Sequence, residues 1–139
     1  MNSFTERIKI ETREKTDIVN ITDPVKDIVG KSGIEEGLCS VSVIGSTASV
    51  STMEYESGLV EDLADYYERI IPSDIRYMHN EKWHDGNGYS HIRSTTTKTS
   101  QTFQIEKGSI LLGTWQQIIF IDFDNKPRNR EISVKIIGR

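Results

Sequence analysis

Ile118-Ile119-Phe120-Ile121-Asp122-Phe123 is the stretch that decides the fold. Its residues are β-branched or aromatic in all but one position, which favours a strand. The apolar character is nearly continuous rather than alternating, as expected of a strand covered on both faces. Immediately after it, Asp124-Asn125-Lys126-Pro127 turns the chain. A last strand follows, in which Ile132, Val134 and Ile136 alternate with Glu131, Ser133 and Lys135. Before it, Ile110 to Leu112 reads as a brief strand ended by Gly113, and Lys107-Gly108 as a turn. Further back, Arg93 to Ile105 carries Thr95, Thr96, Thr97, Thr99 and Thr102, a composition that predicts another strand.

The N-terminal half continues the pattern. Phe4, Ile8 and Ile10 alternate with Arg7, Lys9 and Glu11. Ile18 to Thr22 is a short strand, and Leu38 to Ile44 a third, with Cys39, Val41 and Val43 on one face. Val50 to Tyr55 resumes strand character after Gly45-Ser46-Thr47-Ala48. Two helices interrupt the strands. One starts at Thr22-Asp23-Pro24, a capping oxygen followed by a proline whose missing N–H costs nothing there. Val25, Ile28 and Val29 form its apolar stripe, and the region from Gly30 to Gly33 ends it. The other is capped by Ser57, places Leu59, Val60, Leu63, Tyr67 and Ile70 at helical spacing, and is closed by Pro72. The expected architecture is a single β-rich α+β domain over residues 1–139, an antiparallel or mixed β-sandwich with two flanking helices.

Composition excludes several function classes. The net charge of −4 argues against a general nucleic-acid binder. A lone cysteine, Cys39, rules out an intrachain disulfide framework and reads as a buried small hydrophobe. The N-terminus lacks a signal-peptide core, and no apolar run approaches the roughly 18 residues of a membrane helix. A soluble cytoplasmic protein with no membrane partner is the default.

All three histidines fall between Tyr77 and His91, in Tyr-Met-His-Asn-Glu-Lys-Trp-His-Asp-Gly-Asn-Gly-Tyr-Ser-His. Histidine suits proton transfer near neutrality and metal binding. Gly86 and Gly88 predict a shaped loop rather than a helix. His79, His84 and His91 offer nitrogens for a zinc-type site, with Asp85 or Glu54 as further ligands. Their spacings of five and seven do not match the helical His-x-x-x-His pattern. Nor is the stretch from Asp85 a calcium loop, since its twelfth position is Thr96 rather than a glutamate. The competing reading is a polar loop whose histidines make ordinary hydrogen bonds. His91 with Asp85 would make an oriented base, because a carboxylate fixes the imidazole tautomer. Ser46, Thr47 and the amides near Gly45 suit phosphate oxygens, with Arg93 adding charge; a plain turn explains Ser46-Thr47 as well. No Gly-x-x-x-x-Gly-Lys loop is present. Trp115 reads either as a flat wall for a ligand ring or as packing, and Trp83 as an exposed aromatic. Lys126, Arg128 and Arg130 read as a solvated turn or, in three copies of the chain together, as an anion-attracting patch.

Several ordered stretches together resemble the YjbQ-like family, also called the secondary thiamine-phosphate synthase family. They are Ser46-Thr47-Ala48, Glu54, Tyr77 with His79, Asp85-Gly86-Asn87, Ser90-His91-Ile92-Arg93-Ser94, Lys107-Gly108 and Gly113-Thr114-Trp115-Gln116, then Ile118 and Phe120. The resemblance implies a β-rich sandwich that assembles as a homotrimer. It also implies a polar pocket near a subunit boundary, built from the histidine loop, the Ser-Thr-Ala turn and the Gly-Thr-Trp-Gln segment. In that pocket it places His79, His91, Asp85, Asn87 and Glu54 as catalytic candidates. Ser46, Thr47, Arg93, Thr114, Trp115 and Gln116 would contact substrate. The implied activity joins a pyrimidine diphosphate to a thiazole phosphate, with a divalent metal, magnesium or zinc. The alternative is a trimeric, non-catalytic binder of a small anion or metal ion. Four positions depart from the family pattern. Gly45 stands where many members have histidine, Met53 where asparagine is common, Lys98 where glycine is frequent, and Gln104 where a strand proline is found.

Overall fold

The computed structural model describes residues 1–13 and 16–139. Its strands are β1 (Asn2–Glu11), β2 (Asp17–Asn20), β3 (Gly37–Val43), β4 (Ala48–Met53), β5 (Ser100–Glu106), β6 (Ser109–Ile110), β7 (Gln117–Asp122) and β8 (Asn129–Gly138). Its helices are α1 (Thr22–Ser32), α2 (Ser57–Ile70), α3 (Met78–Trp83) and α4 (Gly88–Thr97). The strands form two sheets, in the orders β1-β8-β3-β5-β6 and β2-β7-β4, with every pairing antiparallel. The α+β, β-rich sandwich expected from sequence is the fold observed, with four helices where two were expected.

The two sheets close on one core. Cys39, Val41 and Val43 of β3 and Ile132, Val134 and Ile136 of β8 meet Val50 of β4 and Ile118 and Phe120 of β7, and Val25, Ile28 and Val29 of α1 join them. β7 has a second apolar face. Ile119, Ile121 and Phe123 pack with Ile18, Tyr67, Val60 and Leu63 under α2. This explains the continuous apolar run at 118–123, because the central strand of the small sheet is buried from both sides. The five-stranded sheet instead turns one face outward and keeps the alternating pattern.

The helix starts differ in detail from expectation. Thr22 begins α1, but its hydroxyl donates to Asn20 Oδ1 (2.6 Å) and accepts from the Ile118 amide (2.8 Å) instead of capping the helix. α2 begins at Ser57, and its capping acceptor is Glu56, whose carboxylate takes the amides of Gly58 (2.9 Å) and Leu59 (2.7 Å). Those two bonds hold the Glu56 carboxyl below its ordinary range. Gly33 ends α1 at φ 67°, a left-handed cap that glycine adopts at least cost. Among the described residues no helix is long and apolar enough to cross a membrane.

Two expectations near the site are corrected. The stretch from Tyr77 to His91 is not one loop: α3 and the start of α4 occupy most of it, leaving His84 to Asn87 as the connection. Residues Arg93 to Thr97 are helix, and the strand starts only at Ser100. Hydroxyls of this segment anchor it as a helix, and of the threonines that suggested a strand Thr97 is one of them. Ser94 Oγ donates to the Ala48 carbonyl (2.6 Å), Ser90 Oγ donates to the Phe123 carbonyl, and Tyr67 and Thr97 share a hydrogen bond of 2.8 Å. Tertiary bonds of this kind override the weak local preference of serine and threonine.

Candidate functional site

α4 lies along β4, fixed by Ser49 Oγ to the Ser94 carbonyl and by Ser94 Oγ to the Ala48 carbonyl. That seating puts His91 beside the Gly45–Ser46 turn, which leads into β4. His91, Gly45, Ser46, Ser94, Thr95, Lys98 and Thr99 line a cleft of about 310 Å³. From the other side, α3 brings His79 to His91, with ring centroids 4.5 Å apart and planes tilted 44°. His79 Nδ1 lies 3.3 Å from Asp85 Oδ1. The contact is a charge pairing when the ring is protonated but lacks hydrogen-bond alignment, so Nδ1 is enclosed without a bonded partner. His91 therefore lines the cleft together with hydroxyls and a lysine, while His79 faces His91 and Asp85 faces His79 without either lining the cleft.

Beneath this cleft is a polar network that sequence reading missed. Asp122 and Asp124 are fully buried at the end of β7. Arg130 grips Asp122 through Nε (2.9 Å) and Nη2 (2.8 Å) and donates from Nη2 to Thr47 Oγ1 (2.7 Å). Arg128 Nε donates to Asp124 Oδ2 (2.9 Å), and Thr12 Oγ1 donates to Asp122 Oδ2 (2.6 Å). Asn87 Nδ2 donates to Asp124 Oδ1 (3.2 Å), leaving Asn87 Oδ1 buried without a partner. Burial pushes the Asp124 carboxyl up, but hydrogen bonds from the Asn125 amide, Asn87 and Arg128 outweigh it and hold the group low. Arg128 and Arg130 are thus tied to buried carboxylates rather than forming a solvated turn, while Lys126 of that run is exposed. The available signal was Asp122 itself, a charge inside an otherwise apolar strand.

The remaining candidates are distributed as follows. Ser46 is exposed in the cleft, while Thr47 is buried and held by Arg130 and Asp124. Asn87 precedes α4 and serves the network through Asp124. Arg93 is not available to a substrate. Its side chain is 1% exposed, and its guanidinium bonds the Ile71 carbonyl (2.8 and 3.1 Å), Thr16 Oγ1 (3.0 Å) and Glu68 (2.8 Å) while lying 4.7 Å from the Tyr89 ring centre. His84 caps α3 at φ 59° and is exposed. Among the described residues no three His, Cys, Asp or Glu side chains gather as a metal-ligand group, so His79, His84 and His91 do not form the expected triad within one chain.

Glu54, Thr114, Trp115 and Gln116 lie elsewhere, at the Met53 end of β4. Glu54 lies seven positions beyond Thr47 along the chain, about 23 Å at roughly 3.3 Å per residue. Gln116 is locked in its turn, accepting from the Gly113 amide (2.9 Å) and donating to Thr52 Oγ1 (3.3 Å). Trp115 is 73% exposed, so the packing reading of this residue fails in the isolated chain, and Trp83 is 63% exposed. Cys39 is buried, and desolvation pushes its thiol up to about 11.

The fold and site define a class: a two-sheet α+β domain with a pair of facing histidines, one of them lining a cleft beside the turn that enters β4. The chain belongs to the YjbQ-like family, whose model, described as "UPF0047 protein YjbQ-like", matches residues 6–139. A UPF0047 protein of Methanothermobacter thermautotrophicus is 35% identical over 139 residues, covering 100% of this chain and 95% of that one. One from Mycobacterium tuberculosis H37Rv is 32% identical over 133 residues, covering 96% and 97%. A crystal structure from Sulfolobus solfataricus, described as a YbjQ-like protein of unknown function, superposes with a TM-score of 0.95 at 32% identity over 99% of both chains. Another, from Clostridium acetobutylicum, gives 0.87 at 32% identity over 95% of this chain and 99% of that one.

Proposed function

We propose that this protein is an enzyme acting on a phosphorylated small molecule at the His79–His91 cleft. Its reaction is of the thiamine-phosphate-synthase type, joining a pyrimidine diphosphate to a thiazole phosphate. The observation that carries the reading is the approach of the two imidazoles to 4.5 Å, with His91 lining a cleft shared with Ser46 and Lys98. In this reaction the bond from the pyrimidine methylene carbon to the diphosphate oxygen breaks, and pyrophosphate leaves with the electron pair. The thiazole ring nitrogen supplies the pair for the new carbon–nitrogen bond. His91 supplies a proton or hydrogen bond to the departing oxygen, the role of a general acid. His79 supports it from the facing ring, and Asp85 stabilises positive charge on His79.

A zinc centre does not fit the side chains of one protomer, because the donors needed do not gather. Magnesium fits better, since it is held largely by substrate phosphates with one or two carboxylates. Asp85, 3.3 Å from His79, is the carboxylate beside the histidine pair, although it does not line the cleft itself. We further propose a homotrimer in which the exposed Thr114–Trp115 segment of a neighbour completes the cleft. The separation of the two candidate groups along β4 and the exposure of Trp115 support that arrangement. The test is a steady-state assay with both substrates and magnesium, following pyrophosphate and product. Turnover in the wild type that is lost in His91→Ala supports the proposal. No product, or turnover indifferent to His91, overturns it.

A further inference from the structure

We infer that Lys98 and Arg130 Nη1 form a diphosphate-binding subsite in the cleft between the Gly45–Ser46 turn and the end of α4. The inference rests on the reading of this cleft as a phosphorylated-substrate site and names the side chains that hold the anion.

Lys98 carries the first argument. It follows α4 at φ 84°, ψ 155°, a region of backbone space that is essentially reserved for glycine. The shape is needed to swing the chain from α4 into β5. The Lys98 amide closes the helix on the Ser94 carbonyl (2.9 Å), and its carbonyl accepts from the Val50 amide (3.4 Å). Glycine would make both bonds with less strain, so the lysine contributes through its side chain, and that residue lines the cleft. A lysine at a helix C-terminus also meets the negative end of the helix dipole, which is the competing explanation.

Gly45 carries the second. A Cβ at this position would stand 3.3 Å from Arg130 Nη1. With no side chain there, no Cβ screens that nitrogen on the turn side, although Arg130 is only 10% exposed and lines the adjoining groove with Lys9, Glu11 and Glu131 rather than the cleft wall itself. Nε and Nη2 of the same guanidinium are fixed on Asp122 and Thr47, and Nη1 makes no hydrogen bond among the described residues. Asp122 neutralises the charge of Arg130, so Arg130 offers an aimed donor while Lys98 supplies net charge. Ser46 and Thr95 add hydroxyls at the cleft wall. Among the described residues no carboxylate lines the cleft. The Ser94, Lys98 and Thr99 carbonyls are taken by the amides of Lys98, Val50 and Val43, which reduces repulsion of an anion.

The experiment is titration calorimetry of the full chain with inorganic pyrophosphate at constant ionic strength, with chloride as the reference anion. Lys98→Gly is compared with Lys107→Gly, which removes a lysine at positive φ (51°) from the β5–β6 turn. Lys98→Gly is expected to raise the pyrophosphate Kd at least about tenfold, equivalent to about 1.4 kcal/mol, while melting no lower than wild type. Lys107→Gly is expected to leave the Kd unchanged, and Lys98→Arg to retain most of the affinity. The inference is overturned if the wild type binds pyrophosphate no better than chloride. It is equally overturned if Lys98→Gly binds as wild type does, or if both glycine variants lose affinity alike. Because the readout is binding without turnover, a failed condensation assay leaves this subsite standing, and a Lys98-independent Kd removes it even where turnover is found.

Discussion

The rings of His79 and His91 face each other at 4.5 Å although they come from different helices, α3 and α4. Neither helix could hold that geometry alone. α4 is pinned to β4 by Ser94, and α3 is tied to α4 by Asn80, whose Oδ1 accepts from the Gly88 amide at 2.9 Å. Gly88 itself admits no Cβ, since one would stand 2.7 Å from the Tyr77 Cβ.

Alanine at each histidine therefore separates the roles. His91→Ala and His79→Ala are expected to lower turnover on the order of 10²-fold, the scale of a lost general acid or its support. His84 is exposed on the helix cap, so His84→Ala should leave turnover and melting close to wild type. Side-by-side kinetics on the three folded variants checks this. A His84→Ala loss as large as that of His91→Ala would return His84 to the site.

Arg93→Ala is expected to destabilise the fold by about 3 kcal/mol, because it removes a buried cation and strips the Ile71 carbonyl of its donors. Urea denaturation measures the loss. Arg93→Lys should recover little, since an ammonium cannot reproduce the planar fork that reaches Ile71, Thr16 and Glu68. Unchanged stability with weakened substrate binding would instead support the ligand role expected from sequence.

Much of the sandwich was legible because burial leaves a periodic mark. The alternation in β1, β3 and β8 and the doubly covered run in β7 all follow from which faces meet the core. α4 was not legible, because its serines, threonines and glycine lack a local helical preference and are held by bonds to Ala48, Phe123 and Tyr67, and α3, Met-His-Asn-Glu-Lys-Trp, is six residues long, too short to show a helical period. The pairing of His79 with His91 could be anticipated from their clustering. The Asp122–Arg130 and Asp124–Arg128 pairs could not, since charges beside a proline turn read as solvated until the fold buries them.

Acid should weaken the fold in a defined window. The hydroxyl of Ser73 is the main cause holding Glu68 down at about 2, aided by the Ser73 amide and Arg93 against a desolvation penalty. Its folded value lies below the ordinary 4.5, so its contribution is present above that value and is lost as pH falls toward about 2. Asp124, also held low, acts in the same sense. Half exposure of Glu68 screens the effect, so its share is small. Melting temperature followed from neutral pH to pH 2 should fall below about pH 4.5, and Glu68→Gln should flatten part of that slope. An identical slope in the variant would remove Glu68 from the account.

Cys39 should be inert in the native protein. It is buried between β8 and β5 in the sheet core, and desolvation pushes its thiol up to about 11. Almost no thiolate exists at pH 8, and reagent has no path to it. Disulfide-exchange labelling at that pH should proceed only on the timescale of unfolding. Rapid native labelling would show that the core opens around β3.

The division of the candidate residues between the two ends of β4 yields the last prediction. Ser46 and His91 stand at the Ala48 end, and Thr114 and Trp115 at the Met53 end. One chain cannot bring them onto one small substrate. A ring of three protomers in head-to-tail contact can, because each heterologous interface joins one end of a chain to the other end of its neighbour. His91→Ala and Trp115→Ala would then damage the same composite site from opposite subunits. Each alone should be poorly active. Unfolding and refolding an equal mixture should restore intact sites wherever a Trp115→Ala chain lends its His91 to a His91→Ala chain lending its Trp115. With random mixing one half of the chains qualify on each side, so about a quarter of wild-type activity should return. Light scattering supplies the independent check on mass. A monomer at micromolar concentration, or a refolded mixture no more active than its parents, would show that Trp115 and His91 never share a site.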